Sequence, residues 1–222
     1  AGRPARRTGF VTMRNTLLQP FTAEDFRLRA ATEKGPFVGS DYGDHSLNPA
    51  LRDAIVRDGL RDAAVLIPVV DRGEEASVIL TKRTEKLRSH SGQISFPGGR
   101  LDATDPTPEH AALRETEEEI GLAPRYVEVV GRMPDYVSGS GFRIAPILSV
   151  VRPDFRLSIN PDEVDDAFEV PLAFLMDPRN HTRDSRVWQE KERYFYTMPF
   201  GERYIWGVTA GIIRTLYERL YA

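Results

Sequence analysis

The sequence predicts an α/β fold, a mixed α+β sheet covered by helices on both faces. Three observations predict it. Short runs rich in β-branched residues recur through the middle of the chain, such as 63–70 (AAVLIPVV) and 76–81 (ASVILT); they have strand length and strand composition. Two segments read as helices: 107–120, opened by Thr107-Pro108 and stopped by Gly121, and 207–220, with apolar residues at helical spacing. No repeat or low-complexity tract is visible, and mixed strands with helices suggest a sheet covered on both faces.

The elements follow in order. Residues 1–19 read as an arm without a period. Thr22, then Glu24 and Asp25, then Phe26, Leu28 and Ala30, read as a capped helix start. Residues 33–47 are rich in glycine and polar side chains and read as loop. Asn48-Pro49 followed by Leu51, Ala54 and Ile55 and closed by Gly59 predicts a short helix. Residues 1–59 are thus expected to form an N-terminal arm and helical extension, with the main domain at 60–222. In that domain 63–70 and 76–81 flank a turn-like DRGEE, which predicts a hairpin. A third strand is expected at 93–96, stopped by Pro97-Gly98-Gly99. Further strands are expected at 126–133, 142–151 and 165–170, a short helix at 171–175, and a late antiparallel pair at 185–189 and 193–198. Val208, Ile212, Ile213, Leu216, Tyr217 and Leu220 share one face of a terminal helix.

Composition removes several classes of function. The chain has 222 residues, about one and a half typical domains. Lys plus Arg number 30 and Asp plus Glu 33, a net charge of -3. That balance argues against a nucleic-acid partner, which calls for a clear basic excess. Cysteine is absent, so disulfides, thiolate metal sites and cysteine nucleophiles drop out together; any metal must take oxygen or nitrogen ligands. No stretch reaches the roughly 20 apolar residues of a membrane span, and no signal-peptide run follows Arg3, Arg6 and Arg7. The expectation is a soluble cytoplasmic protein without a membrane partner.

The richest segment is 107–122 (TPEHAALRETEEEIGL). Thr107 is a good N-cap, Pro108 suits the first helical position and Gly121 is a good stop. Glu115, Glu118 and Glu119 stand at i, i+3 and i+4, so all three leave one face. A solvated acidic face is the plain reading. Two features oppose it. The acids sit in the last turns, where the helix dipole disfavours negative charge, and the helix follows a glycine-rich turn at Gly98-Gly99, which lets backbone approach a ligand closely. Three crowded carboxylates suit Mg²⁺ or Mn²⁺, hard cations that take oxygen ligands.

The run Arg114-Glu115-Thr116-Glu117-Glu118-Glu119-Ile120-Gly121-Leu122 resembles the R-E-U-x-E-E-x-G-U end of the Nudix box, where U is bulky aliphatic. Gly99, five residues and Asp105 resemble the opening of that box, with Asp in place of Glu. Eight residues separate Asp105 from Arg114 where the signature has seven, and Thr116 stands at an aliphatic position. A second stretch, 79–99 (ILTKRTEKLRSHSGQISFPGG), resembles the motif of the coenzyme A pyrophosphatase branch of Nudix hydrolases at Leu80, Thr81, Arg83, Arg88, Gly92, Phe96, Pro97, Gly98 and Gly99. The lengthened box is similar to that branch too.

The resemblance implies a Nudix-type α/β/α sandwich and a Mg²⁺- or Mn²⁺-dependent pyrophosphohydrolase. It would split coenzyme A or acyl-CoA into 3′,5′-ADP and 4′-phosphopantetheine or its acyl form. Other nucleoside diphosphate derivatives (ADP-ribose, NADH, an oxidised nucleotide) and a non-catalytic nucleotide-binding module are the alternatives, and survival of all three box glutamates favours an enzyme. Glu115, Glu118 and Glu119 are implied as metal ligands, with Arg114 orienting a glutamate. Gly98 and Gly99 would supply a turn and a backbone carbonyl. Glu163, in the loop Asn160-Pro161-Asp162-Glu163, is the first candidate for the general base, against Glu119 acting on bound water. Arg83 and Arg88 are candidate phosphate ligands, with surface solvation as their alternative. His90 and Ser91 read as loop residues. Tyr136, Phe142 and Trp206 would either stack on a base or pack in the core. The oligomeric state is open, a homodimer being one option.

Overall fold

The computed structural model describes residues 20–32, 42–51, 59–86, 91–188 and 190–222. Arg88 and His90, and most of the helix expected at 48–59, lie outside the described residues. The order is α1 (Ala23–Thr32), β1 (Tyr42–Gly43), β2 (Arg61–Asp71), β3 (Ala76–Arg83), β4 (Ile94–Ser95), β5 (Gly98–Arg100), α2 (Pro108–Ile120), β6 (Val127–Arg132), β7 (Tyr136–Val137), β8 (Phe142–Val151), β9 (Val164–Pro171), α3 (Leu172–Leu175), β10 (Thr182–Trp188), β11 (Lys191–Phe200), β12 (Arg203–Trp206) and α4 (Gly207–Leu220). Short 3₁₀ turns include Asp44–Ser46 and Pro49–Leu51.

The large sheet runs β1-β7-β8-β2-β3-β4, with β5 on β2, β6 on β8 and β9 on β3. Its centre is the parallel pair β2·β8, in register from Arg61↔Phe142 to Val70↔Val151. The hairpin expected from DRGEE is present, but β2 and β3 pair only over three positions, Val69↔Val78 to Asp71↔Ala76. They then splay, and β4 and β5 fill the gap: Thr81↔Ser95 on one side and Ala64↔Gly99 on the other. Leu66 donates its N–H into this gap, to the Pro97 carbonyl at 2.9 Å. Pro68, two residues on, faces the same way. It therefore sits where no neighbouring strand needs its missing N–H, which is how a proline fits a central strand.

Both faces of the sheet are covered. On one, Ile67, Val69, Val78, Leu80, Leu148 and Val150 pack with Phe26 of α1 and with Ile212, Ile213 and Leu216 of α4. On the other, Ala64, Leu66, Ala145 and Ile147 meet Ala111 and Ala112 of α2, and Val70, Ile79 and Val151 meet Ile120 and Leu122. The small alanines let α2 lie close to the sheet. A separate three-stranded sheet runs β10-β11-β12.

Four strands were not expected from the sequence. β1 and β7 are two residues each and pair with one another in parallel, inside or beside segments read as loop. β12 is four residues. The fourth is β5: Gly98 and Gly99 belong to a strand on β2, not to a free turn. Tyr136 takes its core alternative. It is buried, and its hydroxyl donates to Asp44 Oδ1 at 2.8 Å. Among the described residues no helix is long and apolar enough to cross a membrane.

Candidate active site

The acidic helix is built as its sequence requires. Thr107 caps it, its hydroxyl accepting from His110 N–H at 3.2 Å, and Gly121 ends it in the left-handed conformation at φ 68°. Thr116, at the position where an aliphatic residue is usual in the motif, is fully buried. Its hydroxyl donates to the Ala112 carbonyl at 2.6 Å, so burial leaves no unpaired group.

The last carbonyls of α2 have no partner within the helix. The loop between β8 and β9 supplies two: Ser158 N–H donates to Ile120 O and Asn160 N–H to Glu119 O, both at 2.8 Å. This tether brings Glu163 to the helix. Its N–H donates to Asn160 O at 3.0 Å and its carbonyl accepts from Thr84 N–H at 2.9 Å; Asn160 Nδ2 donates to its Oε1 at 3.3 Å. Thr84 directly follows β3, so Glu163 is fixed between the end of β3 and the end of α2.

Glu119 is the buried member of the set, 2% exposed. Its Oε2 accepts from Gly98 N–H at 3.1 Å and its Oε1 lies 3.4 Å from Arg83 Nη1. Burial pushes its carboxyl up to about 7; Gly98 and Arg83 oppose this, and the negative charges of Glu163 and Glu115 add to it. Burial likewise raises Glu115, against Arg114. Glu118 is half exposed. Gly98 and Gly99 are dictated by closeness: a side chain at 99 would collide with the Glu115 carboxylate, and one at 98 with the backbone of β2.

Arg114 is the hub. It donates to Asp105 through Nε at 3.1 Å and Nη2 at 2.9 Å, and reaches Glu115 and Glu118, each at 3.0 Å. This fork holds the Asp105 carboxyl far below the usual carboxylate range. Asp105 also meets His110 Nδ1 at 2.8 Å. Sequence reasoning left Asp105 without a role; its place is to anchor Arg114. The tethers at Ser158 and Asn160 were also missed, and a backbone donor facing a helix end has no side-chain signature to find. Among the described residues no three carboxylates or imidazoles already converge as a metal site. Of the aromatic candidates, Trp206 stacks edge-on with Phe195 at 5.3 Å and Phe142 lies 4.0 Å beneath the Arg61 guanidinium.

The raised Glu119 carboxyl has a consequence for stability. Between the unfolded value of 4.5 and about 7 the native state holds a proton that the unfolded chain has lost. Stability therefore falls as pH rises through that window. With a chelator present, the chain is expected to lose up to about 3 kcal/mol relative to Glu119→Gln between about pH 4.5 and pH 8. Denaturant titrations across pH test this, and parallel stability curves for the two proteins would refute it.

The NUDIX domain family matches residues 60–191. The chain is 39% identical over 176 residues to an "Uncharacterized Nudix hydrolase NudL" of Enterobacter sp., covering 75% of this chain and 87% of the relative. It is 41% identical over 170 residues to the protein of that name in Escherichia coli, covering the same shares. Among solved structures it is similar to a C. elegans Ap4A hydrolase, 17% identical, with a TM-score of 0.43 over 51% of this chain and 82% of that one. With a family match over more than half its length and relatives near 40% identity across most of theirs, this chain belongs to the Nudix hydrolases, enzymes that cleave phosphoanhydride bonds in nucleoside diphosphate derivatives.

Proposed function

We propose that the chain is a divalent-cation-dependent pyrophosphohydrolase of coenzyme A or its thioesters, releasing 3′,5′-ADP and 4′-phosphopantetheine or its acyl form. One observation carries the substrate: the 79–99 stretch that resembles the coenzyme A branch runs into the carboxylate cluster itself. Arg83 stands 3.4 Å from Glu119 and Gly98 N–H donates to it.

The donor set suits Mg²⁺ or Mn²⁺. Glu115 and Glu118 lie against Arg114 and Glu119 against Arg83, and the charge of Glu163 acts on both Glu115 and Glu119. The excess negative charge, which helps raise Glu119, is what a dication neutralises. Glu115, Glu118 and Glu119 would hold it. When bound, such cations neutralise diphosphate oxygens and acidify the attacking water.

The chain's own residues do the rest. Arg114, tied to Asp105, fixes the rotamers of Glu115 and Glu118 so that their oxygens leave the helix in one direction. Gly98 N–H holds one oxygen of Glu119 and leaves the other facing Arg83. Arg83 and Arg88 would take up phosphate oxygens, for which a guanidinium offers paired donors. Glu163, on a loop braced by Asn160 and Thr84, is the first candidate to accept the proton of the attacking water, and Glu119 the second.

Incubating the pure chain with coenzyme A and Mn²⁺ should release 3′,5′-ADP, seen by chromatography. Turnover of ADP-ribose or a nucleoside triphosphate without turnover of coenzyme A would overturn the substrate and leave the chemistry standing.

A further inference from the structure

Among the described residues the small sheet has an open side: β10 pairs only with β11. Which of its backbone groups face outward follows from the opposite strand. Tyr194 donates its N–H to Asn48 Oδ1 and accepts from Asn48 Nδ2 at its carbonyl, both at 2.8 Å. Both groups thus point away from β10. Ser185 is the residue opposite Tyr194, so its N–H and C=O also point away from the ladder, toward the open side. Arg183 and Val187, two residues either way, share that direction. Among the described residues the Ser185 N–H meets only the side chain of its neighbour, Asp184 Oδ1 at 2.7 Å.

This edge is also apolar at one end. Val187 is 70% exposed and Trp188 64%. An unpaired edge that ends in an exposed tryptophan is a template for another strand. Protective charges are present at Arg183, Asp184 and Arg186, but their order is self-complementary. In an antiparallel pair centred on Ser185, Asp184 of each copy faces Arg186 of the other, on the same face of the sheet. Arg183 faces Val187, and Thr182 faces Trp188. All seven residues of β10 overlap, and every outward N–H and C=O finds a partner. Centring on Arg183 opposes two like charges, and centring on Val187 runs past the end of the strand at Trp188.

We propose that β10 pairs antiparallel with β10 of a second copy about a two-fold axis at Ser185, joining two three-stranded sheets into one of six strands across a homodimer. Such an interface is isologous, as a two-fold contact must be. Its specificity comes from two symmetric Asp184–Arg186 pairs, and its affinity from backbone hydrogen bonds and from covering Val187 and Trp188. None of the residues it uses belongs to the carboxylate cluster, and it does not depend on the substrate.

Sedimentation across micromolar concentrations tests it, with three substitutions. Ser185→Pro removes an outward donor, keeps the β10·β11 backbone ladder, loses one exposed side-chain contact from Ser185 Oγ to Glu192, and should leave a monomer that retains wild-type circular dichroism. Asp184→Arg alone should weaken the dimer about tenfold or more, because attraction becomes repulsion at two sites. Adding Arg186→Asp to Asp184→Arg restores opposite charges and should restore the wild-type dissociation constant. A wild-type chain that is monomeric throughout overturns the proposal. So does a dimer indifferent to Ser185→Pro, or a double variant no better than the single one.

Discussion

Glu119→Gln is expected to lower kcat on the order of 10³-fold, with little change in KM. The substitution keeps shape and volume. A glutamine oxygen still accepts from Gly98 N–H, so the local backbone has no reason to move. What goes is a negative charge that the fold holds in a nearly dry position, between Arg83 and the negative field of Glu115 and Glu163. A cation bound there loses a ligand, and a proton acceptor is lost if Glu119 rather than Glu163 serves as base. The fold itself should tolerate the change and gain stability relative to wild type as pH rises above about 4.5, in full above about pH 7, since the proton Glu119 must hold or the charge it must bury disappears. The pairing of lost rate with retained or increased stability separates this from a merely structural role. Glu163→Gln resolves the base: if Glu163 takes the proton, the pH–rate profile loses its acidic limb, whereas a supporting role leaves the profile intact. Near wild-type turnover in Glu119→Gln, with metal saturating, would remove this carboxylate from the chemistry.

Much of this arrangement was legible in the sequence because it rests on local signals. The strands at 61–71, 76–83 and 142–151 are fully or nearly fully buried, and buried strands announce themselves by β-branched runs. The acidic helix was bounded correctly at both ends, because Thr107 and Gly121 act through bonds to residues three or four positions away. Less legible was anything that depends on who lies opposite. Gly98-Gly99 carries no strand propensity, and β5 exists because β2 and β3 diverge and leave unpaired groups. Asp105 reads as a loop acid until Arg114 folds over it. Glu163 could be nominated as an acid in a loop, but its placement comes from Asn160 and Ser158 donating to the end of α2, a contact across about 40 residues of chain that no period encodes. Tyr136 and Trp206 show the same limit. Aromatic identity alone did not say which would be buried against Asp44 and which would lie half exposed beside Phe195.

The second large effect is expected in stability. Gly98→Ala should lower the melting temperature by about 10 °C and cost on the order of 3–4 kcal/mol. Two penalties act together. Gly98 has φ 145°, a region that side chains rarely adopt. An added Cβ would also lie 2.6 Å from Val65 Cα and closer still to the Ala64 carbonyl oxygen. Both are backbone atoms of β2, and β2 is locked to β8 over ten register positions, so neither can yield. The strain is relieved only by pulling β5 off β2. That motion carries Gly98 N–H away from Glu119 and Gly99 away from Glu115, so activity should fall along with stability. Gly73→Ala and Gly201→Ala supply the control. Their φ values are 83° and 58° and nothing lies within 4 Å of an added Cβ, so they incur conformational strain alone, about 1–2 kcal/mol. Thermal unfolding of the three variants side by side decides between packing and strain. If Gly98→Ala melts no lower than the two controls, the close approach of β5 to β2 is not what fixes glycine at 98, and the positioning of Glu119 by that backbone N–H falls with it.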